Sequence, residues 1–144
     1  NAEITKSRQR HSNDNALAET KNGAVVRKHL GYSHIPQRFA TEVNAHCAGH
    51  LNPYLNFHRP CFFAVEKLGD KGKIEKHYPQ DQIRTPFDKL KSLPEAAAFL
   101  KPGITLQILE HTARKMSDNE AAQRLNTART QLFQSIYRRS KPAA

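Results

Sequence analysis

The sequence predicts a mainly α chain interrupted by one β-hairpin, and three observations point that way. Apolar residues recur at helical spacing in Phe39, Val43, Cys47 and Leu51, and again in Ala121, Leu125, Ala128, Leu132 and Ile136. Capping and breaking residues stand where such stripes begin or end, as in Ser117-Asp118-Asn119-Glu120 and Pro102-Gly103. One segment between them alternates in polarity on either side of Gly69-Asp70-Lys71-Gly72, the pattern of two strands and a turn.

The first helix is expected to start near Asp14, because Ser12, Asn13, Asp14 and Asn15 can each accept a hydrogen bond from an unpaired first-turn amide. A 3.6-residue period sets Asn15, Glu19, Asn22 and Val26 along one face. Lys21 and Lys28 then point elsewhere, and Arg27 lies near the edge of that face. Gly31 supplies a left-handed stop, and Ile35-Pro36 prevents a simple continuation. By composition alone this is a solvated basic helix whose glutamate is incidental.

A second helix should run from about Pro36 to Leu51, with Phe39, Val43, Cys47 and Leu51 as its core stripe and Asn52-Pro53 as its end. Hairpin arms are expected at Phe62 to Lys67 and Lys73 to Tyr78. A two-stranded hairpin is marginal alone, so it calls for a partner surface, DNA or another part of the protein. Short helical segments follow near Pro86 to Ser92 and Pro94 to Leu100. The stripe Leu106, Leu109, Ala113 and Met116 predicts the next helix, and Ser117 with Glu120 forms a capping box opening a helix that reaches about Tyr137. Its apolar face suits an antiparallel pairing with the helix before it. Three regions result: 1–60, 61–91 and 92–144.

The 144 residues suit one ordinary domain, and a mean hydropathy of −0.75 with 38% hydrophobic residues allows only a modest core. No stretch is long and apolar enough to span a bilayer, so no membrane role is expected. Asn1 to Arg10 is polar, without an apolar signal core, and the chain reads as starting mid-protein. Lys and Arg number 23 against 13 Asp and Glu, a net charge of +10, and they are spread along the chain. A polyanion is the natural partner, because distributed cations neutralise phosphates without choosing a sequence. There are no repeats, no Gly-rich phosphate loop and no serine nucleophile motif.

Cys47-x-x-His50 and His58-x-x-Cys61 form an array whose thiolates and imidazoles could build a tetrahedral zinc site. The alternative is a buried thiol at Cys47, which also belongs to the apolar stripe, with ordinary histidines around it. Two cysteines in a basic chain without a signal suggest a reducing compartment and no disulfide.

Asp14-Asn15-Ala16 followed by Glu19 resembles the D-N-A-x-x-E segment of insertion-sequence transposases in the retroviral integrase superfamily. Downstream, Asn56-Phe57-His58-Arg59-Pro60 followed by Thr85-Pro86 is similar to the YN-x-x-RP … TP tail of the same cores. Here 24 residues, Cys61 to Arg84, stand where the common pattern has a short loop. The resemblance covers roughly the first 90 residues and rests on both motifs in order. It implies the C-terminal portion of an α/β RNase H-like integrase core followed by a helical tail. It implies further that Glu19 is the third catalytic acid, joining two aspartates from earlier strands to hold two Mg²⁺ or Mn²⁺ ions for DNA cleavage and strand transfer. Asn22 would touch the DNA backbone or orient a metal-bound water, and Lys21, Arg27, Lys28 and Arg59 would contact DNA. The implied partners are double-stranded DNA, as transposon ends and target, and further copies of the protein, in the bacterial cytoplasm at the nucleoid. With the two aspartates missing, this chain alone should be inactive. The alternative is a non-catalytic basic helical module that only binds nucleic acid.

Overall fold

The computed structural model describes residues 19, 20, 22–69 and 72–140. The chain is mainly helical with two small antiparallel sheets. It divides into two compact units, one of residues up to 46 together with those from 129 onward, the other of residues 47–128. The long last helix, Asp118–Ser140, contributes its first turns to the second unit and its remainder to the first.

In the first unit, Glu19 and Thr20 are helical, and a π-type turn at Asn22–Arg27 leads into the helix Lys28–Leu30. The start expected at Asp14 lies outside the described residues. Gly31 ends the helix at φ 80° and ψ −166°, a positive-φ conformation that favours glycine, with its N–H donating to the Arg27 carbonyl at 2.9 Å. A π-type turn bonds i to i+5 and is wider than the 3.6-residue turn assumed from sequence. Val25 is accordingly the half-buried valine and Val26 is exposed. The core of this unit is Phe39, 1% exposed, packed with Leu132 and Ile136 and flanked by Ile35, Val43 and Phe133. The guanidinium groups of Arg38 and Arg139 each sit 4.9 Å from the Phe39 ring centroid, and Arg139 also pairs with Glu42 at 2.8 Å. The far half of the Asp118–Ser140 helix thus closes on Phe39, where sequence pairing had put the preceding helix.

The expected end at Asn52-Pro53 is overturned. Residues 37–58 are helical without a break: a tight turn Gln37–Phe39, then Ala40–His46, then two π-type turns, Cys47–Leu51 and Tyr54–His58. Pro53 has helical angles, φ −57° and ψ −46°. A proline inside a helix removes one N–H and crowds the carbonyl four residues back, and π-type widening is one of the ways a helix accommodates such a residue.

Beyond it, β1 (Cys61–Phe62) pairs with β4 (Ile83–Arg84), and β2 (Val65–Leu68) pairs with β3 (Ile74–His77), both antiparallel. The second pair is the expected hairpin with shorter arms. The first was not expected. In β2 and β3 all eight residues are exposed, and the register sets Glu66 opposite Lys76 and Lys67 opposite Glu75, residues of opposite charge. Thr85 caps the helix Pro86–Lys91: its hydroxyl oxygen accepts from the Asp88 N–H at 3.1 Å, with Pro86 in the first turn. The helix Leu106–Ala113 carries Leu106, Leu109 and Ala113 half-buried, as its stripe predicts. The capping box at Ser117 forms: its hydroxyl accepts from the Glu120 N–H at 3.3 Å, and the Glu120 carboxylate accepts from the Ser117 N–H at 2.7 Å.

Candidate nucleic-acid interface

Glu19 and Asn22 are exposed in helical segments, with Arg27 and Lys28 exposed beyond them, and no residue of Asn22–Leu30 is buried. They present a carboxylate, an amide and two cations to solvent. The Arg27 guanidinium lies 5.4 Å from the centroid of Tyr32, which fixes its direction. Lys21 lies outside the described residues, as do Asp14, Asn15 and Ala16 of the D-N-A-x-x-E segment. Arg59 belongs to the other unit and is half-buried, its N–H donating to the Tyr54 carbonyl at 2.9 Å to close the π-type turn.

Glu19 offers the hard oxygen that Mg²⁺ or Mn²⁺ prefers, and in kind it fits such an ion. In number it does not. Among the described residues no group of three His, Cys, Asp or Glu is placed to hold a metal. The zinc array does not close either. Cys47 is half-buried and burial pushes its thiol up from the ordinary range, the Cys61 thiol approaches the Arg59 carbonyl at 3.7 Å, and His58 is taken by Asp118. A buried neutral thiol accounts for Cys47.

The second motif acquires a geometry that sequence reading did not supply. Cys61 pairs with Arg84 and Phe62 with Ile83, and the Phe63 N–H reaches the Gln82 carbonyl at 3.4 Å. The two ends of the 24-residue excursion are therefore side by side. Next to that seam, Phe57 of the N-F-H-R-P segment meets Phe87, which follows Thr85-Pro86, edge to face at 5.4 Å. Asn56, Phe57, Pro86, Phe87, Leu90 and Leu109 line one hollow of about 300 Å³. Segments far apart in sequence thus form one clasp.

Sequence reasoning also missed the partner of His58. Its Nδ1 is 3.0 Å from the Asp118 carboxylate, and the imidazole is 5% exposed against 69% for the aspartate. Asp118 opens the last helix, where a carboxylate is favoured by the helix dipole. The only signal was the acidic residue inside the capping box, and nothing in a sequence separation of 60 residues points it at His58.

No protein-family model matches the chain, and no solved structure matches it significantly. A curated relative, the uncharacterized protein y4rM of Sinorhizobium fredii (strain NBRC 101917 / NGR234), is 34% identical over 76 residues, which is 53% of this chain. The match spans 22% of that protein's length, so the chain corresponds to about a fifth of the relative it matches. No helix among the described residues is long and apolar enough to cross a membrane.

Proposed function

We propose that this chain is the C-terminal portion of a DDE-type transposase, the end of an α/β RNase H-like integrase core followed by a helical tail, and that it binds duplex DNA. The observation that carries the reading is the clasp. The family pattern has the R-P and T-P segments close together, and here Cys61–Phe62 on Ile83–Arg84 and Phe57 on Phe87 lie together at the two ends of the 24-residue stretch that separates them.

On this reading Glu19 is the third acid, and two aspartates come from a longer protein of which this chain is a part. Glu19 with those two aspartates would hold two divalent ions, which would supply Lewis-acid stabilisation for phosphodiester chemistry. What this chain itself contributes is the exposed carboxylate of Glu19, the amide of Asn22 for the DNA backbone, and the cations Lys21, Arg27, Lys28 and Arg59 for DNA contacts. The proposed setting is the bacterial nucleoid, as a homo-oligomer on transposon ends. A second reading, a basic helical module that binds nucleic acid without catalysis, is favoured by the lack of companion carboxylates around Glu19 among the described residues.

Two measurements separate the readings. Titrating labelled duplex DNA with the chain across a salt series should give an affinity that falls steeply with salt and varies little with sequence. An affinity indifferent to salt counts against both. Assaying the longer protein for joining of transposon ends with Mg²⁺ or Mn²⁺ then decides: joining supports the transposase, and binding without joining leaves the passive module.

A further inference from the structure

The unit of residues 47–128 contains a cleft of about 100 Å³ that the proposed chemistry does not use. Its walls include Tyr54, Phe57 and His50 from the π-type turns and Met116 from the turn before the last helix, and Lys115 and Arg124 stand at its rim. We propose that this cleft binds one unpaired nucleotide of a DNA strand, the base stacked against Tyr54 and Phe57 and the adjoining phosphate held by Lys115 and Arg124. The inference rests on the nucleic-acid reading above.

Three observations fit that ligand. First, the walls are flat or soft apolar groups: two phenyl-type rings and a thioether stack on any base, because every base has a π face. Phe57 is held in place by its edge-to-face contact with Phe87, so the wall is preorganised. Second, the rim carries two cations. Lys115 and Arg124 are exposed and enter no ion pair among the described residues, while the neighbouring carboxylates are occupied, Asp118 by His58 at 3.0 Å and Glu120 by Ser117 at 2.7 Å. Third, the size excludes a duplex. A concavity of this volume admits at most one base, which can enter only after leaving its stack. His58, buried between the cleft and Asp118, fixes one wall as a positioning residue.

The test uses the full chain and a short single strand carrying a fluorescent adenine analogue that dims on stacking. Saturable dimming is expected. Tyr54→Ala should weaken binding of that strand about tenfold, and Tyr54→Phe, which keeps the ring, should retain it. Arg124→Ala should weaken it and lower the salt slope by about one. Circular dichroism melting of each variant establishes that it folds. Unchanged emission on binding, or a folded Tyr54→Ala that binds like the parent, overturns the cleft. Equal affinity for a free deoxynucleoside monophosphate overturns the assignment to a strand. If duplex binding persists while the cleft fails, the nucleic-acid reading stands without it; if neither duplex nor strand binds, both fall.

Discussion

The helix of Glu19 and the clasp around Phe57 both come from stretches that carry the family resemblance, yet their physics is opposite. No residue of Asn22–Leu30 is fully buried, and Glu19, Arg27 and Lys28 are exposed. The clasp buries Phe87 at 5% exposure and His58 at 6%, caps its helix with Thr85 and ties its ends with a strand pair. Residues that recur together in a motif can therefore serve different ends. Those in the clasp shape the chain, and those on the helix are free to meet a ligand. Substitutions should uncouple the two, leaving stability intact on the helix and destroying it at the clasp.

The largest effect is expected at Glu19. On the transposase reading proposed above, Glu19→Gln in the longer protein keeps shape and helix propensity and removes the charge, so joining should fall by several orders of magnitude while DNA binding and melting temperature hold. Near-normal joining would mean Glu19 is not the third acid. Phe87→Ala should cost about 3–5 kcal/mol in urea unfolding, the range for a buried phenylalanine, with the loss confined to the unit that holds the clasp. A change below about 1 kcal/mol would make the clasp incidental. Ser117→Ala should cost about 1 kcal/mol, since the Glu120 N–H loses its acceptor; an unaltered melting curve would remove that cap from the account.

The smallest effect is set by pH. The hydrogen bond from Arg139 holds Glu42 below the ordinary glutamate range, so the folded chain binds that proton less readily than the unfolded one. Its contribution is full above the ordinary range and disappears as pH falls through the depressed value. Glu42→Gln should flatten the acid limb of the stability curve, and a limb of unchanged slope would show that the pair contributes nothing measurable. Because both side chains are largely solvated, added salt should shrink the difference.

What could be read from sequence was local. The capping box of Ser117 and Glu120, the stop at Gly31 and the turn at Gly69 to Gly72 each depend on residues within a few positions, and each is present. The stripe ending in Leu132 and Ile136 was legible as buried, but a stripe does not say what buries it. Its partner is Phe39, more than ninety residues earlier. Two-residue strands such as Cys61–Phe62 have no periodicity to detect. Asn52-Pro53 misled because the breaker rule assumes a regular α-helix, and the chain here is widened into π-type turns on both sides. On the candidate site, sequence gave the exposed residues on the Glu19 helix their type and spacing. The cleft beside Tyr54 was invisible, since its walls are assembled from residues 49–58 and 112–125.

The strand pair of Cys61–Phe62 with Ile83–Arg84 has one more consequence, for how the chain tolerates change. Once the two ends of an excursion are pinned together, the entropy of closing the loop between them grows only with the logarithm of its length. The segment 63–82 is then an appendage whose extent matters little to what holds its base. Excising it in favour of a tight turn should leave the Phe57–Phe87 contact in place, and lengthening it should be equally harmless. A lineage could gain or lose such a hairpin in one step and keep the same architecture on either side.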